Sequence, residues 1–520
     1  MKEPLMTSSM YQSALITDLV SHALNYDVDR VVVVLEDGRN QSARELRDLI
    51  SRYSQVFAAL APKPLRAAVI AKNRVEVPAV MNALTFAGIV STSLHPMGAI
   101  EDYLYVIEDA EVDLLVYDAD HFEGIASQLK DRAPRLKHFV AIGTEGVGPS
   151  VNRMAEAFLP QPLIGPPAEP NDMARIAYSG GTTGKPKGIM VTHRTMVTST
   201  MIQLTEWEWP AEIRHLVCAP LSHAGASVLT AILLKGGAMV VAPGFEPVAV
   251  MQAIEKHRIT SVLMVPTMVL ALIDHPRFGE FDLSSLEVIF YGASAFPAAR
   301  LKDAIEKLGP VFFQFYGQSE APMSVSVLRR AEHLIDDPLR LASCGRPTPW
   351  NRVALMDDDM RPVADGEPGE ICVQGPLLMA GYLNKPEETE QALAGGWLHT
   401  GDVAIKSPDG FLRIVDRKKD MIVTGGFNVF AREVEDVLAT HPAVRQAAVI
   451  GIPDPKWGET VKAVVVTDPA QTVTAEELIA LVRERKGAVQ APKSIEFLDA
   501  IPLSPLGKPD KKALRAIYAG

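Results

Sequence analysis

Cysteine is scarce in this sequence. The 520 residues include three cysteines, Cys218, Cys344 and Cys372, which lie far apart, with no CxxC pair and no histidine at the spacing of a zinc ligand set. This pattern excludes a disulfide framework and a structural zinc site as organising features of the fold. It favours a reducing compartment, so we expect a cytoplasmic location.

Long hydrophobic runs are also missing. The segment from Met1 to Met10 carries no apolar core after its single lysine, which argues against a signal peptide. The most hydrophobic stretch, residues 226–243, is interrupted by Lys235, Gly236 and Gly237. This pattern predicts a buried helix, a turn and a strand rather than a membrane span.

Positive charge is in deficit, because 51 lysines and arginines stand against 63 aspartates and glutamates, which gives a net charge of -12. Nonspecific binding to nucleic acid or to anionic membranes needs a basic surface, so neither is expected. The 48% hydrophobic content is ample for large cores. A chain of this length predicts roughly two to four domains.

The most informative segment is a loop rich in glycine, from Tyr178 to Gly188, with the sequence YSGGTTGKPKG. Apolar, strand-like runs flank it, so a disordered linker is the weaker interpretation. Glycines let backbone N–H groups approach an anion, while hydroxyls and lysines add donors and charge, which predicts a polyphosphate ligand. The P-loop pattern fails, because Pro186 stands where that motif needs a hydroxyl residue after the lysine.

The order of elements predicts the fold class. Short runs of Val, Ile and Leu alternate with helical segments through most of the chain, which predicts an α/β fold with mostly parallel sheets covered by helices. Between Arg352 and Gly381 the pattern is typical of antiparallel hairpins, so a small β-region is expected there. The charged run at 416–420 predicts a hinge between a large N-terminal domain, residues 1–415, and a small α+β domain, residues 421–520.

Five motifs follow one another along the chain: the glycine loop, YGQSE at 316–320, TGD at 400–402, DRKKD at 416–420 and GK at 507–508. In order and spacing they resemble the motifs of the adenylate-forming superfamily, which includes acyl- and aryl-CoA ligases, luciferases and the adenylation domains of peptide synthetases. The resemblance runs from roughly residue 15 to residue 512 and is greatest to bacterial fatty-acyl-CoA ligases. It implies an enzyme that joins a carboxylate to the α-phosphate of ATP, releases pyrophosphate, and passes the acyl group to a thiol.

The resemblance also implies the nucleotide-binding residues. Thr182, Thr183 and Lys187 would contact the β- and γ-phosphates, whereas Gly180 replaces the usual hydroxyl residue and is given no ligand role. The full set implied in ATP or AMP binding is Ser179, Gly181, Thr182, Thr183, Gly184, Lys187, Gly292, Ala293, Ser294, Tyr316, Gly317, Ser319, Asp402 and Arg417.

Within that set the roles differ. The ring of Tyr316 would pack on adenine, and Asp402 would accept hydrogen bonds from the ribose hydroxyls, since a carboxylate offers two acceptor oxygens to a diol. Arg417 would reach the ribose or the phosphates. The turn Gly292, Ala293 and Ser294 would line the adenine pocket, although a tight strand-to-helix turn would need small residues in any case.

Four residues are implied in catalysis: Lys508, Glu320, Ser319 and His223. Lys508 would bridge the carboxylate and the α-phosphate, Ser319 would offer its hydroxyl to the α-phosphate, and Glu320 would hold magnesium. Taken singly, Glu320 and Lys508 are ordinary surface residues. Only the motif context favours the functional interpretation.

The second half-reaction implies further residues. The small domain would be mobile about Lys419, and Gly425 and Gly426 would let pantetheine pass close to the backbone. Trp457 either lies near the CoA nucleotide or is a core residue of the small domain. A basic set, Arg483, Arg485, Lys486 and Lys493, either meets CoA phosphates or forms a solvated helix face.

The acyl pocket is implied to include His223, Ala224 and Gly225, with His223 at its gate or, alternatively, as a core histidine. No charged residue beside them indicates a second carboxylate, so an apolar fatty, alicyclic or aromatic acid is expected. We therefore predict a carboxylic acid–CoA ligase that uses ATP, Mg²⁺ and CoA. An amine or a carrier-protein thiol as acceptor is the alternative, and homo-oligomer formation stays open.

Overall fold

The computed structural model of the protein describes residues 14–35, 38–178, 185–425, 427–469, 471–503 and 509–518. Within these ranges the helices are α1 (Ile16–Tyr26), α2 (Ala43–Ala58), α3 (Glu76–Phe86), α4 (Ile100–Asp109), α5 (Ala119–Arg132), α6 (Val151–Ala155), α7 (His193–Glu206), α8 (Leu229–Leu234), α9 (Pro247–His257), α10 (Pro266–Ile273), α11 (Ala298–Leu308), α12 (Pro338–Leu341), α13 (Pro386–Ala392), α14 (Ala431–Leu438), α15 (Ala475–Lys486) and α16 (Lys511–Tyr518).

The strands in the same ranges are β1 (Val31–Val34), β2 (Asn40–Ser42), β3 (Arg66–Ile70), β4 (Val90–Ser93), β5 (Leu114–Asp118), β6 (His138–Ile142), β7 (Met173–Tyr178), β8 (Gly188–Thr192), β9 (Arg214–Val217), β10 (Ala238–Val241), β11 (Ser261–Met264), β12 (Val288–Tyr291), β13 (Phe312–Gln318), β14 (Ala321–Leu328), β15 (Arg346–Pro347), β16 (Arg352–Met356), β17 (Pro368–Gln374), β18 (Gly381–Tyr382), β19 (Leu398–Lys406), β20 (Leu412–Arg417), β21 (Ile422–Thr424), β22 (Phe427–Val429), β23 (Val444–Asp454), β24 (Gly458–Thr467) and β25 (Ser494–Phe497).

Two large sheets carry most of the chain. The seven-stranded sheet has the order β18-β8-β7-β4-β3-β5-β6, and the nine-stranded sheet has the order β15-β14-β13-β12-β11-β9-β10-β1-β2. Their central strands are parallel, and antiparallel strands occur at the edges. The predicted α/β class is therefore confirmed.

Consecutive apolar residues explain why the central strands are parallel and covered on both faces. All five residues of β5 and all four of β12 are buried, as expected for strands between helical layers. Capping residues mark the start of a helix. Ser42 and Glu45 form a capping box at the start of α2, at the spacing that is typical of this motif.

Two smaller sheets follow. The antiparallel sheet β16-β17-β19-β20 includes the predicted hairpin region but extends beyond Gly381 to Arg417, and the last sheet, β22-β21-β24-β23 with β25 beside β24, belongs to the C-terminal part. The β-region ends at Arg417 and the last sheet begins at Ile422. The domain division and the hinge at 416–420 stay predictions. No helix among the described residues is long and apolar enough to cross a membrane.

Candidate functional site

The glycine loop connects two antiparallel strands. Ala177 of β7 pairs with Ile189 of β8, and Tyr178 pairs with Gly188. A strand on both sides agrees with the exclusion of the P-loop, which requires a helix after the loop. Most of the residues predicted to bind phosphate in this loop lie outside the described residues, namely Ser179, Gly181, Thr182, Thr183 and Gly184.

Lys187 and Glu320 meet through a tyrosine that the sequence did not single out. The Lys187 ammonium lies 4.8 Å from the centre of the Tyr382 ring. The Tyr382 hydroxyl donates a hydrogen bond of 2.9 Å to Glu320 Oε1. Tyr382 reaches this place because β18 pairs with β8 at Tyr382 and Ile189.

Glu320 lies at the tip of the hairpin between β13 and β14. Gln318 pairs with Ala321 across the turn, so Ser319 and Glu320 are its two loop residues. Gly317 cannot be replaced without a shift of the backbone, since a Cβ there would lie 2.5 Å from the Met323 nitrogen. The turn therefore presents Ser319, which is exposed, and Glu320 side by side.

A second chain of contacts links three predicted nucleotide-binding residues. The Tyr316 hydroxyl donates a hydrogen bond of 2.7 Å to Asp402 Oδ2, and Arg417 Nε lies 3.0 Å from Asp402 Oδ1. Burial and the Asp402 charge raise the pKa of Tyr316 well above its ordinary value. The Asp402 charge also raises the pKa of Arg417. A buried carboxylate is thus held by a neutral donor and a cation.

Glu370 fixes the turn that carries Asp402. Its Oε1 accepts the Gly401 N–H at 2.9 Å, and its Oε2 lies 3.1 Å from His399 Nδ1 and 3.4 Å from Lys418 Nζ. Burial alone would raise the pKa of Glu370, but these hydrogen bonds and charges lower it.

The same cluster offers a carboxylate, a thiol and an imidazole. Ligand atoms of Glu370, Cys372 and His399 lie within 4.8 Å of one another. Burial raises the Cys372 pKa to about 12, so the thiol is protonated near neutral pH. With the Lys418 ammonium already beside Glu370, the cluster suits a structural network better than a metal.

The predicted adenine turn is tight. Ala293 has a φ of 65°, and a Cβ at Gly292 would lie 2.4 Å from the Phe315 carbonyl oxygen. Close backbone approach therefore requires the small residue at 292, whatever the ligand.

His223 lies against a second histidine. Their ring centres, His95 and His223, are 4.9 Å apart, and Ser222 Oγ lies 2.8 Å from His223 Nδ1. Burial, with the charges of His95 and Arg175, lowers the pKa of His223 to about 4. The ring is therefore neutral at physiological pH.

The residues predicted to act in the second half-reaction lie in the C-terminal part of the chain. Trp457 is 45% exposed, so it is not a core residue of the small sheet. Its carbonyl accepts the Gly425 N–H at 2.8 Å. Gly426 and Lys508 lie outside the described residues, and Lys419 is exposed.

Family models match both parts of the chain. One described as AMP-binding enzyme matches residues 20–383, and one described as AMP-binding enzyme C-terminal domain matches residues 433–508. The chain belongs to the AMP-binding enzyme family. The predicted membership of the adenylate-forming superfamily is thereby confirmed.

Relatives of this AMP-binding enzyme match it over most of its length. It is 47% identical to a medium/long-chain-fatty-acid–CoA ligase, FadD8, of Mycobacterium tuberculosis, over 96% of this chain and 89% of that protein. It is 36% identical to a feruloyl-CoA synthase of an Amycolatopsis species, over 81% and 82% of the two chains. Among solved structures, the amide bond synthetase McbA of Marinactinospora thermotolerans is 30% identical, with a TM-score of 0.88 over 97% of this chain and 100% of that chain.

The structure of this AMP-binding enzyme thus brings together Lys187 and Glu320 in one group and Tyr316, Asp402 and Arg417 in another. Sequence reasoning missed Tyr382, Glu370 and Thr400, which support these groups, and also His95 and Arg175, which act on His223. Thr400 carried a signal, because it opens the TGD motif. Its hydroxyl accepts the Asp402 N–H at 3.1 Å and donates to the Ile371 carbonyl at 2.7 Å.

Proposed function

We propose that this AMP-binding enzyme is an ATP-dependent carboxylic acid–CoA ligase, which forms an acyl-adenylate and then the acyl-CoA thioester with release of AMP. The observation that carries the proposal is the contact of Tyr316, Asp402 and Arg417 beside a turn that presents Ser319 and Glu320. At the level of reaction class, the prediction made from the sequence is confirmed by the acid–CoA ligases among the relatives.

Adenylation joins two anions, so the site must offset their repulsion. Lys187 and Arg417 supply positive charge. Asp402, held by Tyr316 and Arg417, offers its oxygens to the ribose diol. Lys508 would act at the reacting carboxylate, as the resemblance implies.

Magnesium is proposed at Glu320. Tyr382 occupies Oε1 of this carboxylate, and no side chain of the described residues bonds to Oε2. A half-buried carboxylate with one oxygen fixed and one available fits a Mg²⁺ ion that also contacts phosphate. When bound, the ion would neutralise charge on the phosphates.

For CoA, the exposed Trp457 is the best-supported residue. The Lys456 ammonium lies 4.9 Å from the centre of its ring, so an aromatic surface and a cation stand together. The basic helix gives weaker support, because Lys486 is paired with Glu433 at 3.2 Å.

The substrate class is proposed from the relatives, as a fatty or aromatic acid. Gly225 adds nothing to pocket volume in this structure, because a Cβ there would lie 2.4 Å from the Ala219 carbonyl oxygen. Its role is to let the loop fold back on itself. Ala224 and His223, both partly exposed, are the better candidates for the pocket wall.

An amine acceptor is the second candidate, because the amide bond synthetase McbA has a closely similar fold over its whole length. The two functions share adenylation and differ only in the acceptor.

The test is pyrophosphate release with ATP, Mg²⁺ and a panel of fatty, benzoic and cinnamic-type acids, each with CoA, with simple amines and with neither. Acid-dependent release together with acyl-CoA detected by mass is the expected result. Acid-dependent release with an amide and no thioester would favour the second candidate. No release with any acid would contradict both.

A further inference from the structure

Arg175 is a cation in the interior of the seven-stranded sheet. It lies in β7, between Ser91 of β4 and Val191 of β8. Its neighbour Ile176 is buried in the core on one face of the sheet, whereas Ala177 packs with Val191 and Tyr316 on the other. Because side chains alternate along a strand, Arg175 lies on the face of Ala177 and Tyr316.

The guanidinium has no partner among the described residues. No hydrogen bond or ion pair to it occurs there, although its strand is paired on both sides. Burial lowers its pKa to about 10, so it still carries its charge at neutral pH. The residue nevertheless keeps part of its surface accessible. Part of Arg175 is therefore accessible to a ligand.

Two neutral histidines lie near Arg175, because His95 follows β4, the strand whose Ser91 pairs with Arg175. The charge of Arg175 contributes to the low pKa of His223, and His95 lies in ring contact with His223. Burial also lowers the pKa of His95. The three side chains together carry one positive charge and several hydrogen-bond donors, which is the chemistry that binds a carboxylate.

We propose that Arg175 binds a carboxylate of the acid substrate, in the space that it shares with His95 and His223. The inference rests on the proposed function and names a residue that recognises the acid. An unpaired buried charge costs free energy until an anion compensates it, and the substrate of an acid ligase brings such an anion.

Two carboxylates are possible sources. The first is the reacting carboxylate, which every substrate carries. The second is a further carboxylate at the far end of a dicarboxylic acid. Arg175 stands three residues before the end of β7, which is about 10 Å from the start of the glycine loop at the usual rise of a strand.

The experiment compares Arg175→Leu and Arg175→Lys with wild type, using decanoic and decanedioic acids. Arg153→Leu is the control, because Arg153 is exposed and, among the described residues, its side chain pairs only with Glu145 on the surface. For Arg175→Leu we expect KM for the acid to rise about tenfold or more, with KM for ATP within about twofold of wild type. Arg175→Lys should recover part of the loss. If KM rises equally for both acids, Arg175 binds the reacting carboxylate. If wild type prefers decanedioic acid and Arg175→Leu loses this preference, Arg175 binds the carboxylate at the far end.

Thermal unfolding gives a readout that does not need turnover. The acid should raise the Tm of wild type and of Arg153→Leu but not of Arg175→Leu. Without ligand, Arg175→Leu should be at least as stable as wild type, because it removes a buried unpaired charge. If Arg175→Leu fails to fold, the arginine has a structural role and the proposal is overturned. The proposal is also overturned if Arg175→Leu keeps the wild-type KM for the acid and the wild-type rise of Tm with the acid. If the acid raises the Tm of wild type but no pyrophosphate is released, the proposed function is contradicted and the proposal that Arg175 binds the acid is not.

Discussion

Tyr382 connects two groups that come from distant segments of the chain. Its ring lies beside the Lys187 ammonium and its hydroxyl bonds Glu320. The cation restrains the ring, and the ring restrains the carboxylate. Tyr382 is therefore a positioning residue for the proposed magnesium ligand.

The variant Tyr382→Phe keeps the ring for Lys187 and removes only the bond to Glu320. We expect the Mg²⁺ concentration for half-maximal pyrophosphate release to rise about threefold to tenfold, because one hydrogen bond to a charged group is lost. Thermal stability should change little.

Tyr105→Phe is the matched control for this variant. Tyr105 also lies beside a lysine of the glycine loop, with Lys185 Nζ 5.0 Å from its ring centre, but its hydroxyl faces Asp109. An equal rise in both variants would contradict a specific role of the Tyr382 hydroxyl.

Part of the site was predictable from residue types and part was not. Asp402, Arg417, Tyr316 and Glu320 lie in motifs, and the resemblance pointed to them. Tyr382 has no such signal, because its position depends on the pairing of a two-residue strand with β8. A pairing between segments so far apart in sequence is decided by tertiary packing, which local patterns do not contain.

Among the elements, the residue that follows β21, Gly425, lies against Trp457. Gly425 has a φ of 57°, and a Cβ on it would lie 2.5 Å from the Trp457 ring. The need for glycine here is thus explained by Trp457, before any ligand is considered.

Gly425→Ala should lower Tm by more than Gly458→Ala does. Gly458 also has a positive φ, 79°, but a Cβ at this position would be 3.7 Å from its nearest neighbour, the Val423 carbonyl oxygen, so the control carries the backbone strain without the clash. In a Trp457→Ala background the two glycine variants should become equally stable, as measured by thermal unfolding. A difference that persists in that background would contradict the steric explanation.

A buried carboxylate joins the last strand of the β-region to the first helix of the C-terminal part. Asp416 accepts the Ala431 N–H at 2.5 Å, at the start of α14, and the Arg417 N–H at 2.8 Å. Burial raises its pKa to about 6, with Glu435 adding to the rise and Lys511 opposing it.

Because the folded pKa of Asp416 lies above its ordinary value, the folded state takes up a proton that the unfolded state releases. Stability from this group is therefore present at low pH and is lost as pH rises from about 4 to about 6. As pH rises from 4 to 7, the free energy of unfolding of Asp416→Asn should increase by on the order of 2 kcal/mol relative to that of wild type. Thermal unfolding of both proteins across this range measures it, and parallel Tm curves would contradict a raised pKa.

At the scale of the whole molecule, the architecture was largely predictable and the arrangement of its parts was not. Runs such as Val288 to Tyr291 are apolar on consecutive residues, so they predicted parallel strands between helical layers, and the structure has them. The meeting of the glycine loop with Glu320 requires two sheets to be placed beside each other. That placement depends on core packing between distant segments, which no single motif encodes.

Two ion pairs link residues 413–420 to helices of the C-terminal part. Arg413 of β20 lies 3.0 Å from Glu433 of α14, and Asp420 lies 2.9 Å from Arg515 of α16. Glu433 is buried, whereas the Arg515 side chain of the second pair is one-third exposed, and exposed ion pairs contribute little stability. Such a junction is compatible with the predicted rotation about Lys419.

Lys419→Pro tests that rotation, because proline fixes φ near −65° and also restricts the residue before it. If the small domain must turn between the half-reactions, a rigid link at 419 should slow thioester formation about tenfold or more while adenylation stays within about threefold. ATP–pyrophosphate exchange measures the first half-reaction, and single-turnover transfer from preformed acyl-adenylate to CoA measures the second. Lys419→Ala is the control, since it removes the same side chain and leaves the backbone free to turn. A selective loss in the proline variant alone assigns the effect to the backbone, whereas equal loss of both half-reactions would show that the two steps do not depend on alternation at this link.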